Sequence, residues 1–150
     1  MRAQYVLALA VFAFAASSAQ AQWWQHHPGY LHAMSDLRTA YWLLEHRGTN
    51  DPDLYRAERD AMRDVRAAYQ ELKNASIIDD KDIDDQPPAQ LVSYDHRDRL
   101  TKALVLMREA RTDISSEETD PEARRFRSAA INHINDGIND LKAAMEYWRF

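Results

Sequence analysis

Apolar residues recur along this chain at three- and four-residue spacings in four separate stretches, and no stretch alternates with a period of two for long enough to suggest a strand. The spacing predicts a first helix over Tyr30–His46, with Gly48 as its C-terminal stop. A second opens at Asp51-Pro52, an N-cap residue followed by proline at the first helical position, and continues to about Ile77. A third begins near Ser93 or Asp95 and ends near Ser115. The fourth opens at Asp120-Pro121 and runs to about Trp148. Only three glycines occur in the whole chain, which suits long helices and not a β fold.

Three of the stretches carry an apolar seam with a 3-4 repeat: Met34, Leu37, Tyr41 and Leu44 in the first, and Met62, Val65, Tyr69 and Leu72 in the second. The fourth reads Ile131, Ile134, Ile138, Leu141, Met145 and Trp148. Beside the seam, on the same flank each time, runs a seven-spaced row of small residues. These are Ala33 and Ala40; Ala61, Ala68 and Ala75; Ala103 and Ala110; and Ala130, Gly137 and Ala144. Small side chains on one flank let neighbouring helices approach closely at a shallow angle. The expected fold is all-α, an antiparallel up-down-up-down four-helix bundle.

The two halves resemble each other. At an offset of 69 residues Asp51-Pro52-Asp53 recurs as Asp120-Pro121-Glu122, Val65 meets Ile134, and Leu72-Lys73 meets Leu141-Lys142. In the first helix of each half the offset is 70, aligning Ala33-Met34 with Ala103-Leu104 and Leu37-Arg38 with Met107-Arg108. A duplicated helical hairpin is the reading: hairpin 1 over about 30–77, a linker over about 78–92 and hairpin 2 over about 93–148.

The first 21 residues stand outside this pattern. Arg2 supplies a positive charge, residues 6–16 are an unbroken apolar run, and Ala19-Gln20-Ala21 is a small-x-small cleavage site. The run is short of the roughly 20 apolar residues that a membrane-spanning helix needs. It reads as a signal peptide cleaved after Ala21, which would release a mature chain from Gln22 into the periplasm or medium with no transmembrane segment. Cleavage removes Arg2 and no acid, leaving 18 Lys+Arg against 24 Asp+Glu. That acidic balance argues against nucleic acid as a partner. Cysteine is absent, so disulfides, c-type haem attachment and thiolate chemistry are excluded.

In the up-down-up-down arrangement the start of helix 1, the end of helix 2, the start of helix 3 and the end of helix 4 share one pole. Most of the unusual side chains would then meet there. His26, His27, His32 and His96 could supply imidazoles to a divalent transition metal. Asp80, Asp82 and Asp84 offer alternating carboxylates of the kind hard cations accept. An EF-hand loop is not matched, since Asp85 sits where glycine is needed and Leu91 where the bidentate Glu should be. The other reading is a solvated acidic loop with no ligand. Haem is not expected: Met34 and His133 have the right residue types for an axial pair but lie at different levels of the bundle. No Glu has a His three residues later, which excludes the di-iron carboxylate pattern, and there is no G-x-S-x-G. No enzymatic motif is present.

Trp42 lies just off the seam of helix 1. It either widens the buried face or, with Trp23 and Trp24 of the mature N-terminus, provides contact residues for a protein partner of the cell envelope. The charges Arg56, Glu58, Arg59, Asp60, Arg63, Asp64 and Arg66 read as a solvated face with i,i+3 and i,i+4 pairs.

The strings Tyr30–His46 and Ile78–Pro88 resemble those of uncharacterised exported bacterial four-helix-bundle proteins, a likeness that implies the fold and compartment and no activity. A looser similarity, in architecture and compartment, is to small periplasmic metal-binding four-helix proteins. Those are built from many His-containing repeats, whereas the six His here are scattered without one. Two functions follow as expectations: a binding module for a divalent metal at the histidine-rich pole, or an interaction protein of the envelope with no small ligand.

Overall fold

Local chemistry sets the helix ends. A computed structural model describes residues 29–46, 52–90, 95–116 and 118–147. Its helices are α1 (Tyr30–Glu45), α2 (Pro52–Ile78), α3 (His96–Asp113) and α4 (Pro121–Tyr147), with a single 3-10 turn at Ile83–Asp85 and no strand among the described residues. The Asp95 side chain accepts the Asp98 N–H at 3.0 Å, so Asp95, not Ser93, is the cap of α3. Asp120 accepts from Glu122 and Ala123 at 2.8 and 2.9 Å and caps α4, with Pro121 at its first position. Caps of this kind are each worth about 1 kcal/mol. Gly48, Asp51, Ser93 and Trp148 lie outside the described residues, as does the leader.

The small-residue row is the centre of the packing. Ala33, Ala40, Ala61, Ala68, Ala75, Ala103, Ala110 and Ala130 have no exposed surface. Gly137 shows why: a Cβ there would stand 2.8 Å from Met107 Cε and 3.4 Å from both the Ala61 carbonyl oxygen and Asp64 Cβ. Backbones this close leave room for little more than hydrogen or methyl. Leu37, Leu44, Leu72, Ile134 and Leu141 fill the remaining core, fully buried, each contributing about 1.5–3 kcal/mol. With the small row central, the seam residues one step further round are pushed to the edge. Tyr41, Met62, Tyr69, Ile131 and Met145 are only partly buried.

The bundle holds, but its helix directions differ from strict alternation. Gly29 donates its N–H to the Asp113 carbonyl, and Arg99 reaches the carbonyls of Leu43 and Leu44, so α1 and α3 run antiparallel as neighbours. Ser76 hydroxyl lies 3.7 Å from Met34 sulfur, placing α1 and α2 antiparallel too. Gly137 beside Ala61, with Asp140 near Asp60, does the same for α2 and α4. Arg111 donates to Asn135 and Arg127 to the Ile114 carbonyl, so α3 and α4 are likewise antiparallel neighbours. The helices therefore run up, down, down, up, with α1 diagonal to α4 and α2 diagonal to α3. All four packed pairs are antiparallel.

That order requires the α2–α3 connection to cross the length of the bundle. Its 17 residues suffice: extended chain covers about 3.3 Å per residue against about 1.5 Å in a helix. The crossover lies against α1. The Ser35 hydroxyl donates to the Pro88 carbonyl at 3.4 Å, and the Gln90 N–H donates to Thr39 Oγ1 at 3.0 Å. Ser35 and Thr39 are thereby buried, though both are polar.

Candidate functional site

The crossover and the displaced tyrosines together frame a groove. It lies between α1 and α2, measures about 600 Å³, and has Leu37 and Val65 in its floor. Tyr41, Trp42 and Tyr69 supply three aromatic rings, and Ala89 of the crossover forms one wall. Arg38, Glu45, Arg66 and Gln70 stand at the rim. The rings are there because Ala40 and Ala68 occupy the closest approach, turning residues 41 and 69 outward. Trp42 is held by its neighbour one turn on: the His46 ring stacks on it at 4.3 Å between centroids with planes 27° apart. Tyr69 is tied to the crossover by the Gln86 side-chain amide, which also donates to the Ile83 carbonyl. The volume falls within the range of small-molecule sites, about 300–1,000 Å³.

Of the metal residues expected at one pole, His96 is placed at the opposite end from His32 and the three aspartates. His32 is exposed near the start of α1, and Asp80, Asp82 and Asp84 are exposed beyond the end of α2, at the same end of the bundle. His96 opens α3 at the opposite end, level with the far end of α1, about 20 Å away at 1.5 Å per residue. The reversed direction of α3 is the cause. Asp82 is already engaged, accepting the Asp84 N–H at 3.0 Å as cap of the 3-10 turn, and Asp80 holds a left-handed φ of 52°. Among the described residues no three His, Asp or Glu are grouped so as to hold a metal ion. His26, His27, Trp23, Trp24 and the side chain of His96 lie outside the described residues. Met34 is level with Ser76 and His133 with Asp64, about 18 Å apart along α2.

What does gather at the α1 N-terminal end is a buried polar network. The Tyr30 hydroxyl donates to Glu118 at 2.6 Å; both side chains are fully buried. Burial first, then the Glu118 hydrogen bond, raises the Tyr30 pKa above its usual range, which keeps it a donor. The second Glu118 oxygen accepts the Asp120 N–H, and Lys81, paired with Asp79 at 3.2 Å, sits 5.1 Å over the Tyr30 ring. These contacts join α1, the turn after α2 and the α3–α4 connection.

The charged face of α2 is solvated only in part. Arg56, Arg59, Arg63 and Arg66 are exposed, and Arg63 pairs with Asp60 at 2.7 Å. Glu58, expected in water, is fully buried against Arg99 at 3.6 Å. Carboxylates also crowd both helix seams. Burial, then Asp113 and Glu109, pushes Asp36 up to about 6, against the opposing charges of His32 and Lys102. Burial is likewise the main cause of the raised Asp113 and Asp140, the latter helped by Asp64 and Asp60.

Of the groove residues, Trp42 was legible in the sequence as an off-seam aromatic. Tyr41 and Tyr69 read as core, and the signal that could have moved them is the constant side on which the alanine row lies. Arg38 and Arg66 carry no mark in the sequence. No family model, curated protein or solved structure matches the chain.

Proposed function

We propose that this protein is an exported binding module whose site is the groove between α1 and α2. The observation that carries the reading is the groove itself, lined by three aromatic rings, of which Trp42 is stacked on His46 and Tyr69 is tied to the crossover. A preformed, ring-lined cleft binds without first ordering its walls. Export rests on the charged, apolar and small-x-small pattern of residues 1–21. In keeping with that, no helix among the described residues is long and apolar enough to cross a membrane.

Two experiments test it. Cell fractionation with N-terminal sequencing should find a chain beginning at Gln22 outside the cytoplasm; a full-length cytoplasmic chain would overturn the export reading. An NMR fragment screen should cluster its shifts on Leu37, Tyr41, Trp42 and Tyr69 and lose them in Trp42→Ala. Hits scattered over the surface, or clustered at the end carrying His32 and Asp80, would overturn the groove reading. The second outcome would return the divalent metal to consideration.

We also take the two hairpins as copies of one unit. Under the 70-residue shift Gly29 becomes Arg99 and Leu43 becomes Asp113, so the contacts Gly29–Asp113 and Leu43–Arg99 exchange with each other. That exchange is the mark of a two-fold axis perpendicular to the bundle. Hydrogen exchange should then give matching protection at repeat mates such as Leu72 and Leu141, and hairpins of unequal protection would speak against it.

A further inference from the structure

We propose that the occupant of the α1–α2 groove is a small aromatic carboxylate, an inference that rests on the groove being the binding site. The groove's body is apolar, formed by Leu37, Val65, Ala89 and the rings of Tyr41, Trp42 and Tyr69. It accommodates a flat apolar group, which offset or edge-to-face ring contacts would favour over an aliphatic one. Its rim selects charge. Arg38 and Arg66 have no carboxylate within ion-pair distance among the described residues, although the chain carries 24 acids to 19 bases. Arg63 pairs with Asp60 and Arg99 with Glu58, while Arg38 and Arg66 share the unpaired state of Arg56, Arg97, Arg108 and Arg125 among the described residues; what sets them apart is their place on the rim of an aromatic groove. Two guanidinium groups against one carboxylate, Glu45, leave the lining of this aromatic cleft with a net positive charge on a protein whose total charge is negative.

The two ends of the groove are not equivalent. With Met34 level with Ser76 in antiparallel helices, Arg38 and Gln70 lie toward one end, and Glu45 and Arg66 toward the other. Glu45 offsets the charge of Arg66, so the end with Arg38 is the positive one. A carboxylate there would meet a planar guanidinium, whose fork matches two oxygens, and the Gln70 amide as a second donor. The aromatic body would extend from it toward Trp42.

The test compares acids with their amides, which keep the body and remove the charge. The full-length mature chain is titrated calorimetrically with benzoate, indole-3-acetate and 4-phenylbutyrate, and with benzamide, indole-3-acetamide and 4-phenylbutyramide. At least one acid should bind about tenfold more tightly than its amide, the scale of one charge-assisted hydrogen bond. Arg38→Gln should bring that acid to its amide's affinity and leave the amide unchanged; Arg66→Gln should do less. Equal binding of acid and amide, with both weakened by Trp42→Ala, would overturn the carboxylate and keep the groove. No binding by either series at millimolar concentration would overturn both.

Discussion

Asp64 and His133 meet across the α2–α4 seam, carboxylate oxygen to ring nitrogen at 3.4 Å, and they stand 69 residues apart, the offset at which Asp51-Pro52 recurs as Asp120-Pro121. Under the proposed duplication, a residue that touches its own repeat mate sits on the two-fold axis. The pair therefore marks the centre of the α2–α4 interface, near Val65 and Ile134, as the exchange of Gly29–Asp113 with Leu43–Arg99 brackets the centre of the α1–α3 interface.

The pair itself should contribute little. His133 is over one-third exposed and Arg63 also lies 3.5 Å from Asp64. A double-mutant cycle with Asp64→Asn and His133→Gln should give a coupling of about 0.2–1 kcal/mol that falls at 1 M salt. A salt-independent coupling above that range would mean that the contact is structural.

Gly137 should tolerate no branched side chain. A Cβ already meets Met107 Cε at 2.8 Å, and Cγ atoms would be driven toward the Ala61 carbonyl. Gly137→Val should cost about 1–3 kcal/mol in urea unfolding, more than the same change would at an exposed helix site. A neutral result would show that the Met107 methyl swings aside and leaves room for the branch.

Acid should stabilise the bundle. Asp36, Asp113 and Asp140 have folded pKa values above their unfolded ones, so the folded chain takes up protons. Their contribution is fully present below pH 3.8 and is lost as pH rises through the folded values, for Asp36 near 6. Tm should fall between pH 5 and 7.5, and Asp36→Asn should flatten part of that slope. A wild-type Tm that rises over the interval with no difference in Asp36→Asn would contradict the argument.

Arg99 joins three helices, reaching Glu58 of α2 and the last-turn carbonyls of α1 from the first turn of α3. Arg99→Ala takes its contact from a buried carboxylate and should cost about 3–5 kcal/mol in chemical denaturation. Arg99→Lys should recover only part, since one ammonium does not reproduce the guanidinium fork. A cost below about 1 kcal/mol would show that the other contacts of Glu58 hold it without Arg99.

Thr39 tests the crossover. Thr39→Val keeps the shape and removes the acceptor of the Gln90 N–H, for a loss of about 0.5–1.5 kcal/mol. Limited proteolysis within residues 79–90 should quicken more than global unfolding does. Cleavage that tracks global unfolding alone would show the crossover's grip to be elsewhere.

Four helices, the Asp120 cap, Asp95 as one of two starts offered for α3, and the buried alanine row were readable without coordinates, because each depends on neighbours within a turn or two. Asp120-Pro121 and Asp95 terminate their helices through hydrogen bonds to N–H groups two or three residues away. Glu58 and Asp64 were misread as solvated for the opposite reason: what buries them comes from α3 and α4, some 40 to 70 residues distant. Ser35 and Thr39 likewise look like surface residues until Pro88 and Gln90 are laid on them.

By itself the sequence determined that there are four helices, roughly where each lies, and that a row of small residues on each lets them fit at close range. It did not determine the direction of α3. A 17-residue connection can turn back at one end or cross the whole bundle at nearly the same loop-closure entropy, and α3 presents the same apolar stripe either way. Only tertiary contacts separate the two: Arg99 with Glu58 and the α1 carbonyls, Gly29 with Asp113, and the crossover with Ser35 and Thr39. That choice carried His96 to the end opposite His32 and the aspartates, and it laid the crossover beside α1 as the wall of the groove.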